Sequence, residues 1–159
     1  MRQWGSRSLK VRATLEPKLQ RICDRLLAEV ADISLISGHR GEEEQNTLFA
    51  EGKSTLEYPQ SKHNSYPSMA VDLQPYPYPT SERKLWGALG WIAGNAVRIA
   101  REEGATLRWG GDWNRNGDLT DQTFDDLFHL EIVVCESSYL PSRSPGDSSA
   151  HPLERHPQS

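Results

Sequence analysis

"SKHNSYPSMAVD", residues 61–72, decides how the rest of the chain is read. His63 and Asp72 bracket a segment with two serines, one proline and no other acid or base. It is either a polar loop that happens to hold these residues or two arms of a metal site. From Met69, "MAVDLQ" alternates Met69, Val71 and Leu73 with Ala70, Asp72 and Gln74, the period of a strand. Asp72 is therefore expected on a strand and His63 in the loop before it. Residues 53–80 are rich in Pro, Ser, Tyr and Lys and read as a long loop around that strand. Long ordered loops in compact domains are usually functional.

Upstream, "PKLQRICDRLLAEVAD" places Leu19, Ile22, Cys23, Leu26, Leu27 and Val30 at helical spacing, with Pro17 in the first turn. "ISLIS" is a short buried strand ending at Gly38, and "GEEEQNTLFAEG" a helix with an acidic start, stopped by Gly52. Downstream, "TSERKLWGALGWIAGNAVRIAREEG" is the clearest helix, with Leu85, Leu89, Ile92, Ala96, Ile99 and Ala100 as its inner stripe. "TLRWGGDW" is a strand running into a turn, and "RNGDLTDQTFDDL" a polar loop. In the last strand, "FHLEIVV", alternation puts Phe128, Leu130, Ile132 and Val134 on one face and His129, Glu131 and Val133 on the other. No internal repeat is visible.

The expectation is an α+β domain over residues 1–135, a small antiparallel sheet flanked by helices, followed by a Ser/Pro-rich disordered tail over 136–159. A length of 159 residues suits one domain, and a 36% hydrophobic fraction permits one modest core. The net charge of −4 argues against a nucleic-acid partner, and no basic run marks an anionic membrane. The N-terminal stretch has no apolar signal core, and nothing reaches transmembrane length, so no membrane anchor is expected. Cys23 and Cys135 are far apart, outside any CxxC, and read as buried thiols, with a disulfide as the alternative.

His151 and His156 lie in the tail, which leaves His39, His63 and His129. Zinc hydrolysis needs three ligands from His, Asp, Glu or Cys, an open position for water, and a separate carboxylate to take the proton. His63, Asp72 and His129 supply such a ligand set, and Asp126, three residues before His129, such a base. Spacing alone leaves ordinary polar loop residues as the competing reading.

The segments "SKHNSYPSMAVDLQPYP", "RWGGDW" and "FDDLFHLEI" together resemble the zinc peptidases that cut peptidoglycan stem peptides. These are the D-alanyl-D-alanine carboxypeptidases and L-alanyl-D-glutamate endopeptidases of the hedgehog/D-Ala-D-Ala peptidase fold, and the similarity is greatest to the phage endolysin branch. The family pattern, SxH, AxD, then DxxH and a following Glu, falls on Ser61, His63, Ala70, Asp72, Asp126, His129 and Glu131. An upstream "SGHR" with Gln45 fits as well. The insert "NSYPS" is longer than usual and contains a proline, and Phe128 and Leu130 stand where the family often has Pro and Phe.

The resemblance implies Zn²⁺ on His63, Asp72 and His129, with Asp126 as general base; Asp125 and Glu131 are its rivals. Glu131 is alternatively an acceptor that fixes an imidazole tautomer. Arg40 is implied to hold substrate and the oxyanion, against an ion pair with one of Glu42 to Glu44. Gln45 and Ser61 are expected to order the loop or contact substrate. Trp113 is expected to wall the cleft, while Trp109 suits core packing equally. Asp112, Asn114, Asn116 and Asp118 match the front of a calcium loop with Gly117 at its turn, but Thr123 stands where the bidentate Glu belongs. An Asn/Gly/Asp-rich turn is the alternative reading.

The function expected is a zinc-dependent endolysin acting on stem peptides as a monomer, with L-Ala–D-Glu as the bond. It would wait in the host cytoplasm until a holin-type pore releases it. The alternatives are a D-Ala-D-Ala carboxypeptidase or dipeptidase, and a metal-bearing wall-binding or virion module without catalysis.

Overall fold

The computed structural model describes residues 2–133; the expected tail over 136–159, Val134 and Cys135 lie outside them. Four strands form one antiparallel sheet in the order β1-β2-β4-β3: β1 is Ile33–Ser37, β2 Ala70–Pro75, β3 Thr106–Gly110 and β4 Asp126–Val133. Four helices accompany it: α1 Ser6–Arg12, α2 Pro17–Arg25, α3 Glu42–Ala50 and α4 Glu82–Glu102. This is the expected α+β architecture.

The core lies between one sheet face and α2 with α4. Leu19, Ile22, Cys23 and Leu26 meet Ile92, Ala96, Ile99 and Ala100 over Leu35, Val71, Leu73, Leu107 and Leu130. Each fully buried leucine or isoleucine contributes about 1.5–3 kcal/mol relative to exposure. Burial leaves the Cys23 thiol with its pKa pushed up to about 12, an inert packing group. The single helix expected from Pro17 to Asp32 is shorter than its apolar pattern. It passes at Leu26–Val30 into a wider π turn, where the Ala31 N–H donates to the Leu26 carbonyl at 3.1 Å.

α1 was not foreseen, because seven residues carry too few apolar positions to show a period. It covers β1, an edge strand: the buried Ser8 Oγ accepts from the Leu35 N–H at 3.1 Å, satisfying a donor the edge would expose. The approach is close at Gly38, where a Cβ would strike Thr14 Oγ1 and lie 3.0 Å from Leu15 Cδ2.

Simple alternation fails once in β4. Leu130 and Ile132 face the core as expected, but Phe128 lines the opposite cleft. Trp109 pairs with Leu130, whereas the next residue, Gly110, pairs with Asp126. The extra β4 residues form a bulge that re-aims the side chains. Gly110 permits it, since a Cβ there would collide with the Asp126 carbonyl, and Trp109 Nε1 donates to the Leu127 carbonyl at 2.8 Å.

Candidate metal centre and cleft

On the sheet face opposite the core, Asp72 in β2 and His129 in β4 are register partners. His63 enters from a 3₁₀ turn, Lys62–Asn64, that begins with a capping box: Ser61 Oγ accepts from the His63 N–H at 3.2 Å while Asn64 Oδ1 accepts from the Ser61 N–H at 3.0 Å. The Asn64 amide also donates to the Arg40 carbonyl, and the Arg40 N–H to the His63 carbonyl. The insert that follows bulges away from the cleft. Tyr66 is 73% exposed and meets the His39 ring edge-on, and none of residues 64–68 lines the cleft.

The three side chains converge. His63 Nε2 lies 3.2 Å from His129 Nδ1 and 3.2 Å from Asp72 Oδ1, and His129 Nδ1 lies 3.1 Å from that oxygen. The outer imidazole nitrogens are both anchored. His63 Nδ1 donates to the Gly38 carbonyl at 2.6 Å and His129 Nε2 to Glu131 Oε2 at 3.0 Å. These bonds hold the outer N–H groups and turn the inner nitrogens, His63 Nε2 and His129 Nδ1, toward Asp72. Three acceptors at this separation need a shared cation or a proton between them. Tetrahedral zinc with bonds of about 2.0–2.1 Å has ligand edges of about 3.3 Å, so the donor set fits such an ion in chemistry and size.

Electrostatics agree. Burial pushes the Asp72 carboxyl up, but the His129 and His63 rings beside it and the Arg40 charge outweigh it and hold Asp72 well below the ordinary carboxylate range. Burial opposes a proton on His129, yet Asp72 and Glu131 push its pKa up to about 9. Arg40 pairs with Asp72 Oδ2, not with Glu42 to Glu44, and its Nε donates to Ser37 Oγ at 2.9 Å. It also lines the cleft.

Asp126 stands at the head of β4 in the same cleft, half-buried. Its carboxylate has no hydrogen-bond or ion-pair partner among the described residues. Burial first, then the neighbouring Asp72 charge, raises its pKa. Asp125 is exposed and outside the cleft lining, and Glu131 is committed to His129 and Arg108. The cleft holds about 810 Å³, room for a peptide segment.

Ser61 and Trp113 line it, and Trp109 packs on the core. Of the two roles expected for Gln45, ordering the loop or contacting substrate, its bonds match the first. It is fully buried, its Nε2 donates to Ser54 Oγ and the Leu56 carbonyl, and its Oε1 accepts from Asn64. It orders the loop.

In the 112–118 loop, Asp112 accepts from the Asn116 and Gly117 N–H groups at 3.1 Å, and Gly117 has φ +82°. Asn114 and Asn116 both donate their amides to Asp121. The sequence reading missed Gly38 as acceptor for His63 and Arg108 as partner of Glu131, contacts that depend on strand pairing.

A convergent His-Asp-His set with a free carboxylate in a peptide-sized cleft defines a metallopeptidase-like site. The profile of the phage L-alanyl-D-glutamate peptidase family matches residues 2–133, and the chain belongs to that family. The L-alanyl-D-glutamate peptidase of Escherichia phage T5 is 32% identical over 139 residues, covering 82% of this chain and 98% of that protein. Among solved structures, the Serratia marcescens L-Ala D-Glu endopeptidase ChiX superposes with a TM-score of 0.63 at 25% identity, covering 80% of this chain and 87% of ChiX. A vancomycin-resistance D,D-dipeptidase, bound to a D-Ala-D-Ala phosphinate analogue, gives a TM-score of 0.45 at 17% identity over 74% of this chain and 50% of its own.

Proposed function

We propose that the chain is a zinc-dependent endolysin that hydrolyses the L-Ala–D-Glu amide of peptidoglycan stem peptides. The observation that carries this is the His63–Asp72–His129 cluster with the unpartnered Asp126 beside it. Family membership and the T5 relative support the choice of bond. When bound, zinc supplies Lewis acidity and lowers the pKa of a coordinated water to about 7.

The protein's part in the reaction follows from its own groups. His63, Asp72 and His129 hold the ion, with Gly38, Glu131 and Arg40 fixing their orientation. Asp126, raised in pKa, accepts the proton of the attacking water and returns it to the leaving amine. Arg40 is held by Ser37 and Asp72 at the cleft wall, where its guanidinium faces the oxyanion that develops on the scissile carbonyl. Trp113 and Ser61 border the peptide's path.

In the same proposal the protein acts as a monomer. It waits in the host cytoplasm and reaches the wall through a holin-type pore. Calcium at Asp112, Asn114, Asn116 and Asp118 orders the loop next to Trp113. The way Asp112 gathers the Asn116 and Gly117 N–H groups around a left-handed glycine supports that role.

Purified protein incubated with sacculi and, separately, with D-Ala-D-Ala provides the test, with products read by mass spectrometry and Asp126→Ala as control. A new D-Glu amine on stem peptides is expected. Free D-Ala alone would replace the proposal with a dipeptidase, and silence from zinc-loaded protein on both substrates with a binding module. The calcium role fails if calcium added to chelated, zinc-reloaded protein changes neither activity nor melting temperature.

A further inference from the structure

We propose that Arg108 is a positioning residue for the metal centre, acting through Glu131 on His129. This rests on the metal reading above and extends it one residue outward.

Glu131 is a carboxylate at 4% exposure with its two oxygens assigned to different partners. Oε2 accepts from His129 Nε2 at 3.0 Å. Oε1 takes both Arg108 Nε, at 3.0 Å, and Arg108 Nη2. A carboxylate held at one oxygen only can rotate about its terminal torsion. The two-pronged grip of a planar guanidinium stops that rotation, so Oε2 stays in line with the imidazole. The alignment keeps a proton on His129 Nε2 and leaves Nδ1 as the nitrogen pointed at Asp72 and His63.

Arg108 is itself held on two sides. It is the register partner of Glu131 across β3 and β4, so sheet pairing sets its base. Its Cζ lies 5.3 Å from the centroid of the Trp113 ring, within cation–π range. Trp113 is tied at both ends: its N–H donates to Gln122 Oε1 at 3.1 Å and its Nε1 to the Phe124 carbonyl at 2.8 Å. The same ring lies 5.5 Å from the His129 ring, so Trp113 closes a loop of contacts Arg108–Glu131–His129–Trp113. A lysine at 108 would keep the charge but present one point donor to Oε1 and no plane to Trp113.

The test compares wild type, Arg108→Met, Arg108→Lys, Glu131→Gln and the Arg108→Met/Glu131→Gln double variant, each full-length and stripped by chelator. Zn²⁺ affinity is measured by competition with a chromophoric chelator, and the Co²⁺-loaded proteins by visible absorption. Arg108→Met is expected to weaken Zn²⁺ binding about tenfold, the low end for outer groups of a metal site, and to shift the Co²⁺ bands. Arg108→Lys should recover only part of the affinity. The double variant should bind no more weakly than Glu131→Gln alone, because Arg108 acts through Glu131.

Melting of the chelated proteins separates misfolding from loss at the metal. If Arg108→Met does not fold, the lysine variant decides by the same affinity and spectrum. Wild-type affinity in both Arg108 variants, or full additivity in the double variant, overturns the proposal. Wild type that takes up neither Zn²⁺ nor Co²⁺ overturns the metal reading itself, a result visible before any variant is examined.

Discussion

Two regions of this molecule gather oxygen and nitrogen donors, and they treat them in opposite ways. At the His63–Asp72–His129 cluster the donors are largely buried. Their outer atoms are tied to Gly38, Arg40 and Glu131, so the inner atoms are left facing one another. In the 112–118 loop the donors are mostly exposed and satisfy one another: Asp112 holds backbone N–H groups, and Asn114 and Asn116 turn their amides to Asp121. A preorganised site keeps its inner donor atoms turned to one point at a cost met by surrounding structure. A loop whose polar atoms are already paired must exchange those bonds to take an ion. Similar residue types therefore yield a rigid centre in one place and an optional one in the other.

The largest expected effect tests the rigid side. Removing the metal with a chelator, or replacing His63 with Ala, should reduce stem-peptide hydrolysis to background, and Zn²⁺ should restore only the chelated wild type. Activity that survives His63→Ala would dissolve the distinction between the two regions.

Asp126→Ala should follow, lowering kcat by about 10²–10⁴-fold with Zn²⁺ affinity and melting temperature near wild type. A lost metal in that variant would move Asp126 from base to ligand.

Next comes pH. His129, with its pKa pushed up to about 9, carries a proton at neutral pH that metal must displace. Apparent Zn²⁺ affinity should therefore fall by about tenfold per pH unit as pH drops below about 9, until other groups titrate. Calorimetry in buffers of different ionisation enthalpy should show net proton release on binding. Uptake without proton release would mean that Nδ1 is already bare.

The smallest effect belongs to the loop. Asp118→Ala without calcium should cost no more than about 1 kcal/mol, the loss of the exposed bonds that its Oδ1 accepts from the Thr120 N–H and Oγ1–H. With calcium at 100 times its dissociation constant, wild type should gain about 2.7 kcal/mol and the variant much less. Equal melting shifts on adding calcium to the two would make the loop a polar turn.

Stability adds a check on the core. The Cys23 thiol is raised in the folded state, so its contribution is complete below the unfolded pKa near 9 and declines as pH climbs toward about 12. Native Cys23 should accordingly resist alkylation at neutral pH.

Much of the architecture was legible in the residues. The α4 stripe, the "ISLIS" strand and the alternation around Asp72 are long or regular enough for the period to show through. So were the donor types at the centre, because few residues can hold a metal and their order matches a known pattern. Three features were not. α1 is too short for a period. Gln45 was marked by the family pattern, but sequence left open whether it ordered the loop or met substrate; it folds inward to hold the 54–56 turn. Phe128 looked like core because alternation was carried through a bulge that sequence does not mark.

The chain alone determined the kinds of groups at the site and the elements that carry them, because residue chemistry and local periodicity are properties of neighbours in sequence. Only the tertiary structure decided which atoms face each other. The Asp72–His129 register, the Gly38 carbonyl behind His63, the Arg108 grip on Glu131 and the Gly110 bulge that brings Asp126 into the cleft all join residues far apart in the chain. Such contacts follow from strand pairing and close backbone approach, which no local pattern encodes.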